Sequence, residues 1–188
     1  TEIFQNQSWP TLFFIDIPFE RGDEITALVA QGDTLLVFGQ SKVFLIIGQT
    51  SLDFEVRPSA GAQAGAFGPR AVALIENGVV HASAEGVFIF DGATDKYLSH
   101  GIEPGWRDLL RNAAAGDLAL IDMVYHFPYK ELRITVPRLY PRAAPGEWVL
   151  DLNRTREGGR PAWTDTDRTI GGYILWDGDE PTQGNRGR

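Results

Sequence analysis

The chain contains no cysteine, which excludes disulfide staples and thiolate metal sites alike. It has one methionine, and that is not at its first position. No apolar run approaches the length needed to cross a bilayer as a helix, so no membrane partner is expected. The opening TEIFQNQSWP lacks a basic stretch followed by an apolar one and does not read as a signal peptide. Basic charge is in deficit: 17 Lys and Arg against 25 Asp and Glu leave a formal net charge of −8. A surface that grips nucleic acid clusters Lys and Arg. An acidic surface repels a duplex instead, and allows it to slide past without sticking.

The short signatures of catalysis are also missing. There is no Gly-x-Ser-x-Gly elbow for a nucleophile and no Gly-rich loop ending in Lys-Ser or Lys-Thr to cradle phosphate. The glycines of 61–68 do not run into a helix. The Ser-x-Asp-x-Gly-x-x-Trp turn of sialidase blades is absent, and Ser83-Ala84-Glu85-Gly86 matches it only in part. The histidines His81, His100 and His126 are too far apart in sequence to pair as ligands on one element. His81, alone on an alternating strand, reads as a satisfied structural residue.

What is present is a core and a repeat. The 188 residues are 43% hydrophobic and 11% aromatic, enough for one large all-β domain or two small ones. Residues 26–48 read TALVAQGDTLLVFGQSKVFLIIG, and residues 72–92 read VALIENGVVHASAEGVFIFDG. Ala27, Leu28 and Gly32 match Ala73, Leu74 and Gly78. After a two-residue deletion, Val43, Phe44 and Gly48 match Val87, Phe88 and Gly92. A period of about 45 residues built from short strands is the mark of β-propeller blades. Such a blade cannot bury both faces alone and needs neighbours stacked about an axis.

Period-two alternation and turn residues divide the chain further. The first unit, 25–57, is expected to hold strands at Ile25–Ala30, Leu35–Phe38, Lys42–Ile47 and Phe54–Arg57. Pro58–Pro69 reads as a small, flexible loop too poor in large apolar residues to pack. The second unit, 71–99, has strands at Ala71–Glu76, Val79–Ala82, Val87–Phe90 and Tyr97–Ser99, with turns at Asn77-Gly78, Glu85-Gly86 and Asp91-Gly92. One short helix follows in GIEPGWRDLLRNAAAG, with Pro104 in its first turn, Trp106, Leu109 and Leu110 on one face, and Gly116 as its stop. The third unit, 118–164, is looser: Leu118–Phe127, Glu131–Val136, Trp148–Leu152 and Ala162–Thr164, with an excursion at Arg138–Gly146. Leu12–Ile17 reads as a strand before the first unit. Gly172–Trp176 reads as the opening of an incomplete fourth unit. The expected fold class is therefore all-β: propeller-like blades of four antiparallel strands with one short helix, a single region over residues 1–188 and a fragment of a longer chain.

Several groups are weighed for chemistry. Asp165-Thr166-Asp167 and Asp177-Gly178-Asp179-Glu180 offer oxygen ligands to a hard cation, but lack the spacing of a cation loop and fall where solvated turn carboxylates are expected. A propeller glycosidase needs convergent carboxylates, or a tyrosine with acidic and arginine support. The candidates are Asp16, Glu24, Arg57, Arg70, Arg133 and Tyr125, and none lies in a motif. Arg21-Gly22-Asp23 has the form of an adhesion triplet but sits in an expected turn. The tail Asn185-Arg186-Gly187-Arg188 is too short for a nucleic-acid arm. Trp9, Trp106, Trp148, Trp163 and Trp176 are read as packing between blades, with sugar stacking or a subunit interface as the alternative use. No catalytic, cofactor-binding or metal residue is assigned, and no cofactor is expected. The residues singled out are structural: Gly32, Gly78, Gly86 and Gly92 at turns, Phe44, Phe88 and Phe90 between blades, and Arg57 and Arg70 in blade-bridging ion pairs.

Taken in order, the residues carry a resemblance. Trp9, Phe13-Phe14-Ile15-Asp16-Ile17, Gly22-Asp23-Glu24-Ile25-Thr26-Ala27-Leu28, Leu36-Val37-Phe38, Ser41 and Val43-Phe44 are similar to β-propeller proteins of tailed-bacteriophage tails and necks. The likeness continues through Phe54-Glu55-Val56-Arg57, Gly68-Pro69-Arg70-Ala71-Val72, Gly86-Val87-Phe88-Ile89-Phe90-Asp91-Gly92 and Ile102-Glu103-Pro104. It covers residues 9–111. These proteins include the nozzle and tail-hub subunits that extend the portal channel. The resemblance implies a virion structural protein that is not an enzyme. It would assemble with copies of itself into a ring, beside neighbouring tail, adaptor or portal proteins. Viral DNA would pass through without sequence-specific contact during ejection. The alternative is a glycan- or receptor-binding β-propeller module.

Overall fold

The computed structural model describes residues 14–50, 53–136, 146–154, 159–166 and 172–173. Within them the chain forms three antiparallel sheets of four strands each, with little helix. Sheet 1 consists of β1 (Ala27–Gln31), β2 (Thr34–Phe38), β3 (Val43–Ile47) and β4 (Glu55–Pro58). Sheet 2 consists of β5 (Val72–Ile75), β6 (Gly78–Ser83), β7 (Gly86–Phe90) and β8 (Asp95–Tyr97). Sheet 3 consists of β9 (Asp122–His126), β10 (Glu131–Thr135), β11 (Glu147–Asp151) and β12 (Ala162–Thr166). In each sheet the strands lie side by side in chain order. These are meanders in which every strand pairs with its sequence neighbour.

The hairpins are short because the turn chemistry is local. Gln31 pairs with Thr34 across Gly32-Asp33, and Gly32 has the positive φ of 58° that such a turn requires. The second hairpin departs from the expected Asn77-Gly78 turn. Ile75 pairs with Gly78, so Glu76-Asn77 make the turn and Gly78 opens β6. Likewise Ser83 pairs with Gly86, which opens β7. The matched glycines Gly32 and Gly78 therefore do different work. Gly32 turns the chain, whereas a side chain at Gly78 would collide with the Phe90 carbonyl on the neighbouring strand.

Sheet 2 is covered on both faces. Val79 and Phe90 pack with Ala27, Leu36, Phe38 and Val43 of sheet 1. Their alternate neighbours Ala73, Val80, Ala82 and Val87 pack with Met123, Leu132, Ile134, Trp148 and Leu150 of sheet 3. Alternation along a strand is what sends successive residues to opposite faces, so every residue of β6 is buried. The first strands meet as well, β1 lying against β5 and β5 against β9.

The helix α1 (Glu103–Asn112) has Pro104 in its first turn and buries Trp106 and Leu109. It stops before Gly116, because Ala113 turns extended. Gly116 instead lies in a second short helix, α2 (Ala115–Leu118). The strand expected from Leu118 accordingly starts only at Asp122. The strand expected at Leu12–Ile17 is not formed over its described part: Phe14 and Ile15 are exposed and unpaired. Among the described residues no strand offers them a ladder, and Phe19 contributes instead by setting its ring edge-on to Phe44 at 4.9 Å. Most of the 138–146 excursion, and all of the expected fourth-unit strand except Gly172 and Tyr173, lie outside the described residues.

Candidate functional site at the sheet junctions

The buried polar side chains gather at the sheet junctions and on the far face of sheet 3. Between sheets 1 and 2 runs the linker of residues 59–71. It is packed rather than loose: Ala64, Ala66 and Ala71 are buried. A side chain on Gly61 would strike the Ala93 carbonyl, and one on Gly65 the Gly39 carbonyl. The small residues expected to make this segment flexible are what let backbone lie against backbone. The Ala66 N–H donates to Gly39 O at 2.8 Å, and the Phe67 N–H donates to Ala82 O at 3.0 Å, stitching the linker to both sheets.

His81 sits at the centre of this junction, fully buried. Its Nδ1 lies 2.8 Å from the Gly65 carbonyl oxygen, and its Nε2 lies 3.0 Å from Asp95 Oδ1. The other oxygen of Asp95 accepts the Gln63 N–H at 2.6 Å. The ring is held between Phe38 and Phe88, with centroids 5.2 and 5.6 Å away. One side chain thus ties sheet 2, the linker and the β8 end together. It is the satisfied structural histidine expected of that position.

The junction of sheets 2 and 3 is aromatic. Trp148 is 2% exposed and lies 5.6 Å from the Trp106 ring. The Trp106 indole donates to Ser83 O at 3.2 Å, and the Trp163 indole donates to Leu98 O at 2.6 Å. Trp106 and Trp163 each pack a large ring while the indole N–H finds a carbonyl on sheet 2 or just beyond it. All three serve packing between sheets. Trp9 and Trp176 lie outside the described residues.

A third polar cluster covers the far face of sheet 3. Asp122, 4% exposed, receives Arg70 at 2.5 Å and the Tyr173 N–H at 2.8 Å. Arg70 also donates to Tyr173 O at 2.6 Å, and its own carbonyl accepts the Met123 N–H at 2.8 Å. Glu147, 1% exposed, accepts the Tyr173 hydroxyl at 2.8 Å and the Thr166 hydroxyl at 3.2 Å, with Arg133 at 3.6 Å. Burial, then the Glu147 carboxylate beside it, push the Tyr173 phenol well above its ordinary range. Held protonated, it is a hydrogen-bond donor and not a nucleophile. The Arg133 guanidinium is held in its charged form first by the hydrogen bond to Glu131 at 2.8 Å.

Of the residues weighed for glycosidase chemistry, Arg70 and Arg133 meet in this cluster. Asp16 and Glu24 are exposed on the segment before β1, Arg57 is on β4, and Tyr125 packs against the core on the opposite face. The sequence pattern did not point to Asp122, Glu147 or Tyr173. Asp122 and Glu147 do open strands beside the apolar Ile121 and Trp148, an unusual place for a carboxylate. Arg70 does bridge between sheets, but Arg57 pairs with Glu55 on its own strand at 2.5 Å, so its expected bridging role fails. Phe90 fills the space between sheets 1 and 2, and Phe88 stacks on His81 there. Phe44 points to the other face of sheet 1, under Phe19, because alternation puts its neighbours Val43 and Leu45 in the junction.

The adhesion triplet is occupied internally. Asp23 accepts the Gln40 N–H at 2.6 Å, the Ser41 hydroxyl at 2.7 Å and the Glu24 N–H at 2.9 Å, capping the β2–β3 turn. Partial burial opposes its ionisation, but the Ser41 and backbone hydrogen bonds outweigh that and hold its pKa below the usual value. Asp165 is exposed and Thr166 is bound to Glu147; Asp167, residues 177–180 and the tail 185–188 lie outside the described residues. Among the described residues no group of three or more His, Asp or Glu is placed to hold a metal ion. Compared with known proteins, the chain matches no family model and no curated protein.

Proposed function

We propose that this chain is a structural, non-catalytic part of a bacteriophage tail or neck, in which identical subunits close a ring around the DNA exit channel. The observation that carries the reading is serial geometry. Three four-stranded meanders follow one another in the chain, with β1 against β5 and β5 against β9. Consecutive blades of a β-propeller present their strands to a common axis in this manner. The contact of Tyr173 with Asp122 at the start of β9 supports the reading, since the opening strand of a further blade would make a contact of this kind. The buried His81, Asp95, Asp122 and Glu147 are engaged by partners within the chain, which fits a load-carrying role in the virion. The net charge of −8 suits a wall past which DNA moves without being held. Neighbouring tail, adaptor or portal proteins are the expected contacts, with no cofactor.

The test is the mass of the native, full-length product in solution by light scattering, at low and moderate salt. A discrete ring of several copies supports the reading; a monomer at all concentrations overturns it. A glycan- or receptor-binding module is the second reading. Phe127 and Tyr129, 62% and 66% exposed at the β9–β10 turn, favour it, since exposed rings are what sugars stack on. Binding to a glycan panel that is lost on Tyr129→Ala would select it over the first.

A further inference from the structure

Sheets 2 and 3 pack tightly through their middles but part at one end. A cleft of about 430 Å³ opens there between the β5–β6 turn and the β9–β10 turn. Small-molecule sites occupy about 300–1,000 Å³ and are mostly apolar with a few polar groups. The walls of this one are Ile75, Ile89, Leu98 and Leu152.

Its charge is at odds with the rest of the molecule. The lysines of the chain are Lys42, Lys96 and Lys130, and two of these three stand at the cleft, one on each sheet. Lys96 meets Asp91 at 3.0 Å, and Lys130 meets Glu76 at 3.1 Å. Of those two carboxylates only Glu76 lines the cleft; with Asp91 beside Lys96, cation and anion balance at the mouth, in a chain that is acidic overall. Lys130 is also the one described non-glycine residue with positive φ, at 53°. That conformation costs an L-residue about 1 kcal/mol or more. Two side-chain amides, Asn77 and Asn153, line the same space and have no hydrogen-bond partner among the described residues.

We infer that this cleft binds a small amphipathic anion. The apolar body, of aryl or short-alkyl size, lies between the isoleucine and leucine walls. The carboxylate or sulfonate head lies between Lys96 and Lys130, with the Asn77 and Asn153 amides as further donors. The existing lysine pairs do not prevent this. They are partly exposed, and pairs of that kind contribute only about 0–1 kcal/mol, so a head group that engages both cations at once displaces or shares them at little cost. The site is separate from the Arg70–Asp122–Tyr173 cluster, which lies on the far face of sheet 3, and does not depend on ring assembly.

The probe is 8-anilinonaphthalene-1-sulfonate, titrated by fluorescence into the folded chain and followed by the Asn77 and Asn153 side-chain amide signals in NMR spectra. Saturable one-site binding that shifts both amides is expected. Lys96→Gln combined with Lys130→Gln weakens it about tenfold or more, since two charge-assisted contacts are lost; Lys96→Arg with Lys130→Arg retains it. The uncharged N-phenyl-1-naphthylamine, tested on the unaltered chain, binds at least about tenfold more weakly. No saturable binding, equal binding of the neutral compound, or unchanged affinity in the double Gln variant would each overturn the proposal.

Discussion

The two sheet junctions solve the same packing problem with different materials. Between sheets 2 and 3 the space is filled by bulk: Trp148 and the α1 face with Trp106 close it, and the Trp106 indole N–H is answered by the Ser83 carbonyl. Between sheets 1 and 2 a smaller core of Leu36, Phe38, Val79 and Phe90 is completed by backbone. A linker of alanine and glycine is laid into the gap, and a buried His81–Asp95 pair provides the specific contact. Large rings give area, and burial scales with area. A close backbone approach gives little area but fixes position, because neither side can shift without a carbonyl collision. The junction of sheets 1 and 2 is therefore expected to be the more selective one, and that of sheets 2 and 3 the more stabilising one.

The sharpest way to break that contrast is Trp148→Ala, which empties the centre of the aromatic junction. A loss of about 3–5 kcal/mol is expected from large-to-small change in a core, read by urea unfolding. A loss under about 1 kcal/mol would show that bulk is not what holds sheets 2 and 3. At the other junction, His81→Leu removes the partner of a buried carboxylate and is expected to cost about 3 kcal/mol. Adding Asp95→Leu should recover part of that loss, because no uncompensated charge then remains. If the double variant is worse than the single one, the pair contributes by attraction and not by mutual compensation.

The smallest effect lies within a sheet and serves as the control. Asp91 accepts the Ala93 and Thr94 N–H groups at 3.0 and 2.9 Å in the β7–β8 turn and meets Lys96. The Thr94 hydrogen bond, then Lys96, lower its pKa from 3.8 to about 2. A depressed carboxylate stabilises the fold above its unfolded pKa, and that contribution fades as pH falls from about 4 through 2. The Ala93 and Thr94 amide signals should titrate across that window while the Trp106 and Trp163 indole signals do not move. Indole signals that follow the same curve would mean the turn and the aromatic junction are coupled.

Most strands were legible because their signal is local. Alternation in TALVA and GVFIF, bounded by Gly-Asp or Asp-Gly, needs nothing from elsewhere in the chain to be read. The linker was misread because a run of small residues carries the same letters whether it floats or lies between two backbones. Only the neighbours Gly39 and Ala93 decide which. Asp122, Glu147 and Tyr173 escaped for a related reason: their partners come from distant parts of the chain. Each looks, on its own strand, like an ordinary polar residue. Phe44 missed its junction for a different reason. It faces the same way in sheet 1 as its match Phe88 does in sheet 2, but no described sheet precedes sheet 1, so Phe44 meets Phe19 where Phe88 meets the first junction.

Sheet 2, covered on both sides, also has a history in synthesis. Its first cover, sheet 1, is already made when β8 leaves the ribosome; its second, formed by α1 and sheet 3, has yet to be translated. Until residue 150 or so emerges, the Val80, Ala82 and Val87 face is bare on the nascent chain. The order of the junctions thus sets an order of risk: the early one guides the chain into place, and the late one ends its exposure to chaperones and to other unfinished copies.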